Sequence, residues 1–425
     1  MSGVHFNQET ALALDAEDRL SGFRSQFYIP GGETPQFYFC GNSLGLQPKA
    51  VRAALEQELQ DWAAFGVEGH FHAKHPWMPY HTELRELLAT CVGAKPLEVV
   101  AMNSLTVNLH LLMVSFYRPT AERPAIILEQ GAFPSDRYAV ESQIRFHGYN
   151  PDDCLIEVEA DPETGILSME ALQDTLERHG KRTALVLWPG VQYRTGQAFD
   201  LQAVTALAHR HGCRVGFDLA HAAGNLPLQL HDSNADFAAW CSYKYLNAGP
   251  GAIAGAFVHE RHSNAELPRF NGWWGNRQDI RFQMKPTFEN TPGADGWQLS
   301  NPPILAMAPL RASLEIFENA GMPALREKSV RLTAFLEAGI DQELSAIIRS
   351  VTPKDAEQRG CQLSLQVLAG RNQGRSLFDY LGNNGVIADW REPDVIRLSP
   401  TPLYNRFTDC YHAVRLIKQW AERHA

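Results

Sequence analysis

In the first hundred residues, apolar positions return every three to four places. "PKAVRAALEQELQDWAAFG" (residues 48–66) carries one apolar stripe, with proline near its start and glycine at its end, and "HTELRELLATCVGA" (residues 81–94) repeats the design. Both predict amphipathic helices. The rhythm then changes to short apolar runs: "AIILEQ" from Ala125, "TALVLWPG" from Thr183, "CRVGFDLA" from Cys213, "ADFAAWCS" from Ala235 and "GAIAGAFVHE" from Gly251. Interleaved with them are the amphipathic segments "DRYAVESQIRFHG" from Asp136 and "DLQAVTALAHRHG" from Asp200. Strands that are apolar on both faces and separated by helices predict an α/β unit with a mostly parallel sheet covered on both sides.

From Asn301 the pattern is helical again, "PPILAMAPLRASLEIFENAG" and "MPALREKSVRLTAFLEAGIDQEL", before the alternating "CQLSLQVLAG" and "VIRLSP" and a closing helix, "CYHAVRLIKQWAERHA". This predicts a smaller α+β domain over residues 301–425, after a large α/β domain over 71–300 and a helical segment over 1–70. The stretch from Gly272 to Pro303 is long and marked by glycine and proline, the composition of a functional loop. No internal repeat is visible.

Composition narrows the classes. With 425 residues, 44% of them hydrophobic, the chain can bury a sizeable core, and its net charge of −10 without a basic block argues against a nucleic-acid footprint. The seven cysteines (40, 91, 154, 213, 241, 361 and 410) are odd in number and form no C-x-x-C pair, so neither a disulfide framework nor a zinc or other metal site is expected. The opening segment has acidic residues and no signal pattern, and no apolar run is long enough to span a bilayer. A soluble cytoplasmic protein with reduced thiols and no membrane partner is the expectation.

The candidate chemistry gathers at predicted strand ends, where ligands collect in parallel α/β sheets. Asp218 closes "CRVGFD", and Lys244 follows the next strand in "CSYKYLNAGPGAIAG", a cation flanked by two tyrosines and followed by glycines. An acid at one strand end and a lysine after the next is what pyridoxal phosphate needs: the lysine forms a Schiff base and the carboxylate keeps the ring nitrogen protonated. Ser104 and Thr106 head the apolar helix of "MNSLTVNLHLLMVSF", offering hydroxyls and free N–H groups to a phosphate. "AFPSD" adds Phe133, able to stack on a flat ring, and Asp136. Taken singly, each has a plainer reading: Asp218 as a cap, Phe133 as a core aromatic, Ser104 as an N-cap without ligand, His221 as a half-buried histidine, Trp273 and Trp274 as packing. Their joint occurrence favours the cofactor.

The motifs "FCGNSLGLQPK", "AFPSDRYAVESQ", "VGFDLAHAAGN", "CSYKYLNAGPGAIAGAFVHE", "LSNPPIL" and "RLSPTPLYNRFTD" closely resemble the kynureninase family, pyridoxal-phosphate hydrolases of the aspartate aminotransferase-like fold type I, over about residues 12–420. The resemblance implies pyridoxal 5′-phosphate as cofactor, Lys244 as the lysine bonded to it, Asp218 at its ring nitrogen and His221 nearby. It implies that Leu105, Thr106, Pro134 and Ser135 belong to the cofactor site, that Phe133 stacks on the ring and that Asp136 completes the ring contacts. Tyr243 would reach the phosphate and move protons, with its pKa lowered by the cation beside it. Trp273 and Asn301 would close the site from the neighbouring subunit of a homodimer, whose contacts the segment 1–70 would share. Arg397 would clamp the substrate α-carboxylate. His70, Ser300 and Asn301, together with Ser43, would contact substrate, and the first three resemble the set in members that favour the 3-hydroxy substrate.

The implied reaction, in tryptophan degradation towards NAD, is hydrolysis of the Cβ–Cγ bond of L-kynurenine or 3-hydroxy-L-kynurenine to L-alanine and anthranilate or 3-hydroxyanthranilate. One departure is Pro189, where the family often has serine or threonine; proline offers neither hydroxyl nor N–H. The alternative is another fold type I enzyme, such as a cysteine desulfurase or class V aminotransferase. A desulfurase needs a cysteine on a mobile loop, and none here lies in an obvious glycine-rich loop.

Overall fold

The computed structural model describes residues 5–32 and 36–424. Its strands, in chain order, are β1 (Phe37–Tyr38), β2 (Val99–Ala101), β3 (Ala125–Glu129), β4 (Leu155–Val158), β5 (Thr183–Pro189), β6 (Arg214–Asp218), β7 (Phe237–Trp240), β8 (Gly255–Val258), β9 (Ile348–Ser350), β10 (Leu363–Val367), β11 (Val386–Ile387), β12 (Asp389–Arg391) and β13 (Val395–Leu398). Among the described residues they form a large sheet in the order β2-β8-β7-β6-β5-β3-β4, a small antiparallel sheet in the order β12-β13-β10-β9, and the short parallel pair β1-β11.

The large sheet is parallel from β7 through β6, β5 and β3 to β4, while β8 runs against its neighbours β7 and β2. Successive strand residues feed opposite cores, as the two-residue period of a strand requires. Ile127, Val186, Trp188, Phe217 and Trp240 pack on one face; Ile126, Leu128, Leu185, Leu187 and Ala239 pack on the other. Helices cover both faces, which is why these strands read as unbroken apolar runs. The expected α/β class is what the structure has. Gly255 serves this packing, because a Cβ there would collide with the indole of Trp240 on the adjacent strand.

The expected helices form at Ala50–Phe65, Pro134–Phe146, Leu201–Arg210 and Phe407–His424, and the segment from His81 breaks into Tyr80–Glu83 and Arg85–Val92. The helix Leu201–Arg210 starts where Asp200 accepts a hydrogen bond from the Ala203 N–H, an N-cap. The Gly272–Pro303 stretch is built from short turns, the α-helical turn Gln278–Arg281 and the 3₁₀ turns Trp273–Gly275 and Ala294–Trp297. The helix Ile304–Ala320 lies on the core of the large sheet through Met307, Leu310 and Leu314. The small sheet has its own core, where Leu332, Phe335 and Leu336 meet Leu363, Leu365, Ile396 and the closing helix. Phe6 and Ala11, the latter on the N-terminal helix Gln8–Ala16, join that second core.

Candidate active site

A cavity of ≈ 240 Å³ opens at the carboxyl ends of the parallel strands, the location that sheet topology favours for ligands. It is lined by Glu129 at the end of β3, Pro189 at the end of β5, Asp218 at the end of β6, and Tyr243 and Lys244 just beyond β7. The turn carrying Lys244 is held by its own backbone: Asn247 N–H donates to the Lys244 carbonyl and Ala248 N–H to that of Ser242, both at 2.9 Å. Asn247 takes a left-handed φ of 52°, which asparagine tolerates better than most residues.

Lys244 Nζ lies 2.9 Å from Nε2 of His221, and 5.9 Å and 6.0 Å from the ring centres of Phe133 and Tyr243. Burial first, then the charge of Lys244, pushes the His221 imidazole well below its ordinary pKa, so it is neutral. With Lys244 donating to Nε2, the proton of His221 sits on Nδ1, which is buried and finds no partner. Asp218 is oriented by the Ala220 N–H, which donates to its Oδ1 at 2.7 Å.

Two helix starts converge on the same space. The helix Leu105–Phe116 begins after Ser104, whose hydroxyl makes no capping bond, and the helix Pro134–Phe146 begins after Phe133. Their hydroxyls meet, Thr106 Oγ1 lying 2.9 Å from Ser135 Oγ. Free N–H groups, aligned peptide dipoles and paired hydroxyls make this end of the cavity suited to a phosphate. Asp136, in the first turn of the second helix, is buried with an unpartnered Oδ1; burial and then Asp218 raise its carboxyl well above the usual carboxylate range. Phosphate donors at one end, carboxyls at the other, an aromatic face and a lysine between them fit a flat, phosphorylated, nitrogen-containing aromatic ligand.

One expectation needs correction. The Tyr243 hydroxyl is pushed above its ordinary pKa, by burial first and then by Cys241 and Asp218, rather than lowered. Desolvation of the phenolate outweighs a cation about 6 Å from its ring.

The cavity brings together Leu105, Thr106, Phe133, Ser135, Asp136, Asp218, His221, Tyr243 and Lys244, with Pro134 at the adjoining helix start. Arg397, on β13, is fully buried and does not line it. Its Nε and Nη2 meet Asp389 Oδ1 at 3.0 and 2.7 Å, and its Nη1 donates to the Tyr193 carbonyl at 2.7 Å. His70, Trp273, Ser300, Asn301 and Ser43 are likewise outside the cavity lining. His70 Nδ1 bonds the Val67 carbonyl at 2.9 Å, Trp273 packs edge-on against Phe282, and Ser300 and Asn301 are exposed.

Four lining residues escaped the sequence reading, Glu129, Val191, Tyr193 and Ala220, two of them with side chains that carry chemistry. Glu129 ends an apolar strand just as Asp218 does, and that shared position was a usable signal. Tyr193, edge-on to Phe133 with ring centres 5.2 Å apart, comes from a loop folded back over the sheet and had no local signal. Elsewhere, Glu98, His231 and His259 come together, but Glu98 is engaged by His231 and by the backbone N–H groups of Lys95 and Glu260.

Residues 325–417 match the family model of the kynureninase C-terminal domain, and residues 75–233 that of the DegT/DnrJ/EryC1/StrS aminotransferase family. Over 415 residues the chain is 59% identical to the kynureninase of Stenotrophomonas maltophilia, covering 97% of each chain. Over 413 residues it is 60% identical to the kynureninase of Xanthomonas campestris pv. campestris, with the same coverage. Among solved structures it is similar to a mutant of C-DES with glycine covalently linked to the PLP cofactor, at a TM-score of 0.79 and 20% identity over 93% of this chain and 98% of that one. It is also similar to the cysteine desulfurase CsdA of Escherichia coli, at a TM-score of 0.76 and 18% identity over 95% and 99%. At those identities the structural likeness speaks for the fold.

Proposed function

Because the chain belongs to the kynureninase family, we propose that it hydrolyses the Cβ–Cγ bond of L-kynurenine and 3-hydroxy-L-kynurenine, releasing L-alanine and anthranilate or 3-hydroxyanthranilate. Its cofactor is pyridoxal 5′-phosphate. The observation that carries the reading is Lys244, 2.9 Å from the neutral His221 in a cavity that also gathers Asp218 and the Thr106–Ser135 hydroxyl pair.

In this reading Leu105, Thr106 and Ser135 hold the phosphate at the two helix starts, with Pro134 shaping the second of them and Tyr243 reaching in from the side. Phe133 covers the ring, Asp218 and Asp136 take its nitrogen side, and Lys244 bonds it covalently. When bound, the cofactor supplies an electron sink for the pair released at the substrate α-carbon. Lys244 Nζ, beside an imidazole that adds no charge, takes and returns the α-proton. Tyr243 Oη, held protonated by burial, donates a proton rather than accepting one. Arg397, aimed by Asp389 and the Tyr193 carbonyl, supplies the positive charge for the substrate carboxylate. Pro189 lines the cavity without a donor, so no contact to the cofactor falls to it.

His70, Trp273, Ser300, Asn301 and Ser43 complete the site when two chains pair as a homodimer in the cytoplasm. Support for pairing comes from the exposed apolar side chains Trp62, Phe65, Val67 and Phe71, which follow one another closely along the chain, and from exposed Leu305. No helix among the described residues is long and apolar enough to cross a membrane. His70, Ser300 and Asn301 would read the 3-hydroxyl, making 3-hydroxykynurenine the better substrate. All seven cysteines are buried, so none is poised as the mobile nucleophile of a desulfurase.

The test is product analysis with each substrate separately, in the presence of added cofactor. Alanine and the matching anthranilate are expected in equal amounts, with kcat/KM about tenfold higher for the 3-hydroxy compound, the worth of one net hydrogen bond. Transamination products, or release of sulfur from cysteine without cleavage of either kynurenine, would overturn the assignment. A preference for unsubstituted kynurenine would overturn the role given to His70, Ser300 and Asn301.

A further inference from the structure

Arg397 does not line the cavity, yet it is bonded to a residue that does. Its Nη1 donates to the Tyr193 carbonyl at 2.7 Å, and the Tyr193 side chain lines the cavity edge-on to Phe133. The same carbonyl accepts from Gln362 Nε2 at 3.1 Å, so both of its lone pairs are engaged. Gln362 immediately precedes β10; its Nε2 also donates to Ser364 Oγ at 2.9 Å, and its Oε1 accepts from Asn42 Nδ2 at 3.0 Å. Asn42, Gln362, Ser364 and Arg397 are all buried.

The direction of each group in this chain is set by the next. With Asn42 donating to Oε1, the Gln362 amide presents its N–H groups to Ser364 and Tyr193. Beyond Tyr193 the loop is pinned separately: Arg194 Nη2 meets Asp394 Oδ1 at 3.2 Å, Thr352 Oγ1 donates to the Thr195 carbonyl, and the Ala198 N–H donates to the Gln358 carbonyl at 2.8 Å. Among the described residues, Gln362 is the one side chain that shares the Tyr193 carbonyl with Arg397. The Arg397 guanidinium gives Nε and Nη2 to Asp389 and Nη1 to Tyr193. Of its five N–H groups, these contacts leave one on Nη1 and one on Nη2, the adjacent pair that a carboxylate bridges.

We propose that Gln362, oriented by Asn42, is a positioning residue for substrate recognition: by fixing the Tyr193 carbonyl it turns Arg397 so that the remaining Nη1 and Nη2 N–H groups meet an α-carboxylate together. A two-point contact depends on the direction of the fork as well as on its charge, so a guanidinium that is present but rotated holds a carboxylate less well. This rests on the reading of Arg397 as the carboxylate clamp and names what sets its direction.

Two variants test it. Gln362→Met keeps the length of the side chain and removes its N–H donors, whereas Gln362→Glu keeps the acceptor for Asn42 and sets a second oxygen against the Tyr193 carbonyl. Both are compared with wild type and with Arg397→Gln, all loaded with pyridoxal phosphate. The probes are L-alanine and ethylamine, the same amine without the carboxylate, each titrated against the visible band; kynurenine cleavage supplies kcat and KM. Gln362→Met should bind L-alanine about tenfold more weakly and raise KM by a similar factor, with ethylamine binding within about twofold and kcat within about threefold of wild type. Gln362→Glu should lose at least as much L-alanine binding, again without loss for ethylamine. A merely structural role would weaken both probes alike. Equal losses for the two probes, or L-alanine binding as in wild type, overturns the proposal when Arg397→Gln has lost the preference for L-alanine. An Arg397→Gln protein that prefers L-alanine as strongly as wild type does sinks the reading of Arg397 itself, and the role of Gln362 falls with it.

Discussion

Replacing Gly45 with alanine tests whether the early motif "FCGNSLGLQPK" exists to seat the lysine turn. Gly45 N–H donates to the Tyr243 carbonyl at 2.8 Å, so the two segments lie backbone to backbone. A Cβ at position 45 would stand 2.8 Å from the Asn247 Cα and closer still to the Lys244 carbonyl oxygen and Asn247 Oδ1. Carbon atoms pack at about 3.5–4.0 Å, so a gap of roughly 0.7 Å or more must open. The turn has little room to yield: Asn247 is fully buried, sits at a φ of 52°, and donates through Nδ2 to the Tyr245 carbonyl at 2.9 Å. Overpacking of this kind costs about 1–3 kcal/mol. Because the displaced atoms carry Lys244, a shift near 1 Å should also lower kcat/KM about 100-fold. The assay pairs thermal unfolding with steady-state kinetics and with the fraction of cofactor that borohydride fixes to the chain. A Gly45→Ala protein with kcat/KM within threefold of wild type refutes the reasoning, even if its Tm falls, since the glycine would then serve packing alone.

Two further outcomes follow from the electrostatics. Asp236 is fully buried and accepts from His209 and His262 at 2.9 and 2.8 Å, Arg261 at 2.8 Å, Arg214 at 3.1 Å and the Val215 N–H at 2.8 Å. Burial alone would raise its pKa, but the bonds from His209, His262 and Arg261 hold the carboxyl well below the usual range. It precedes β7, at the sheet end away from the cavity, so Asp236→Asn should cost about 3 kcal/mol in denaturant unfolding at pH 7 and leave kcat within twofold. The stabilisation of a depressed acid is present above its unfolded value of 3.8 and lost as pH falls further, so the gap should narrow in strong acid; a gap that stays constant down to pH 2 contradicts the assignment. Tyr243→Phe should keep the visible band yet slow kcat about 100-fold by the same factor from pH 6 to pH 9, because a hydroxyl with a raised pKa stays protonated throughout; a ratio that varies with pH would mean that Tyr243 ionises in the working range.

How much of this was legible in the chain depends on how local the cause is. The runs at Ala125, Thr183, Cys213 and Ala235 become β3, β5, β6 and β7 because a strand buried on both faces needs no distant information to be apolar. Asp218 and Lys244 stood out because each follows such a run, and the cavity gathers them with Phe133, Asp136 and the Thr106–Ser135 pair. Glu129 obeyed the same rule and was passed over, lacking an odd neighbourhood to draw attention. Tyr193 was beyond reach, since nothing in "PGVQYRTGQ" says that its loop returns to Phe133.

The α/β order of elements, the strand-end placement of an acid and a lysine, and the family can all be read from the chain, because they rest on periodicity and on residues close together along it. Tertiary structure decided the rest. It set the helix Ile304–Ala320 against the core of the large sheet, joined Arg397 to Asp389 and the Tyr193 carbonyl, and crowded three carboxyls around one lysine. It also set the sign of the Tyr243 shift, which a reading from its neighbour Lys244 reverses. Burial and charge depend on which distant segments close over a group, and no local spacing carries that information.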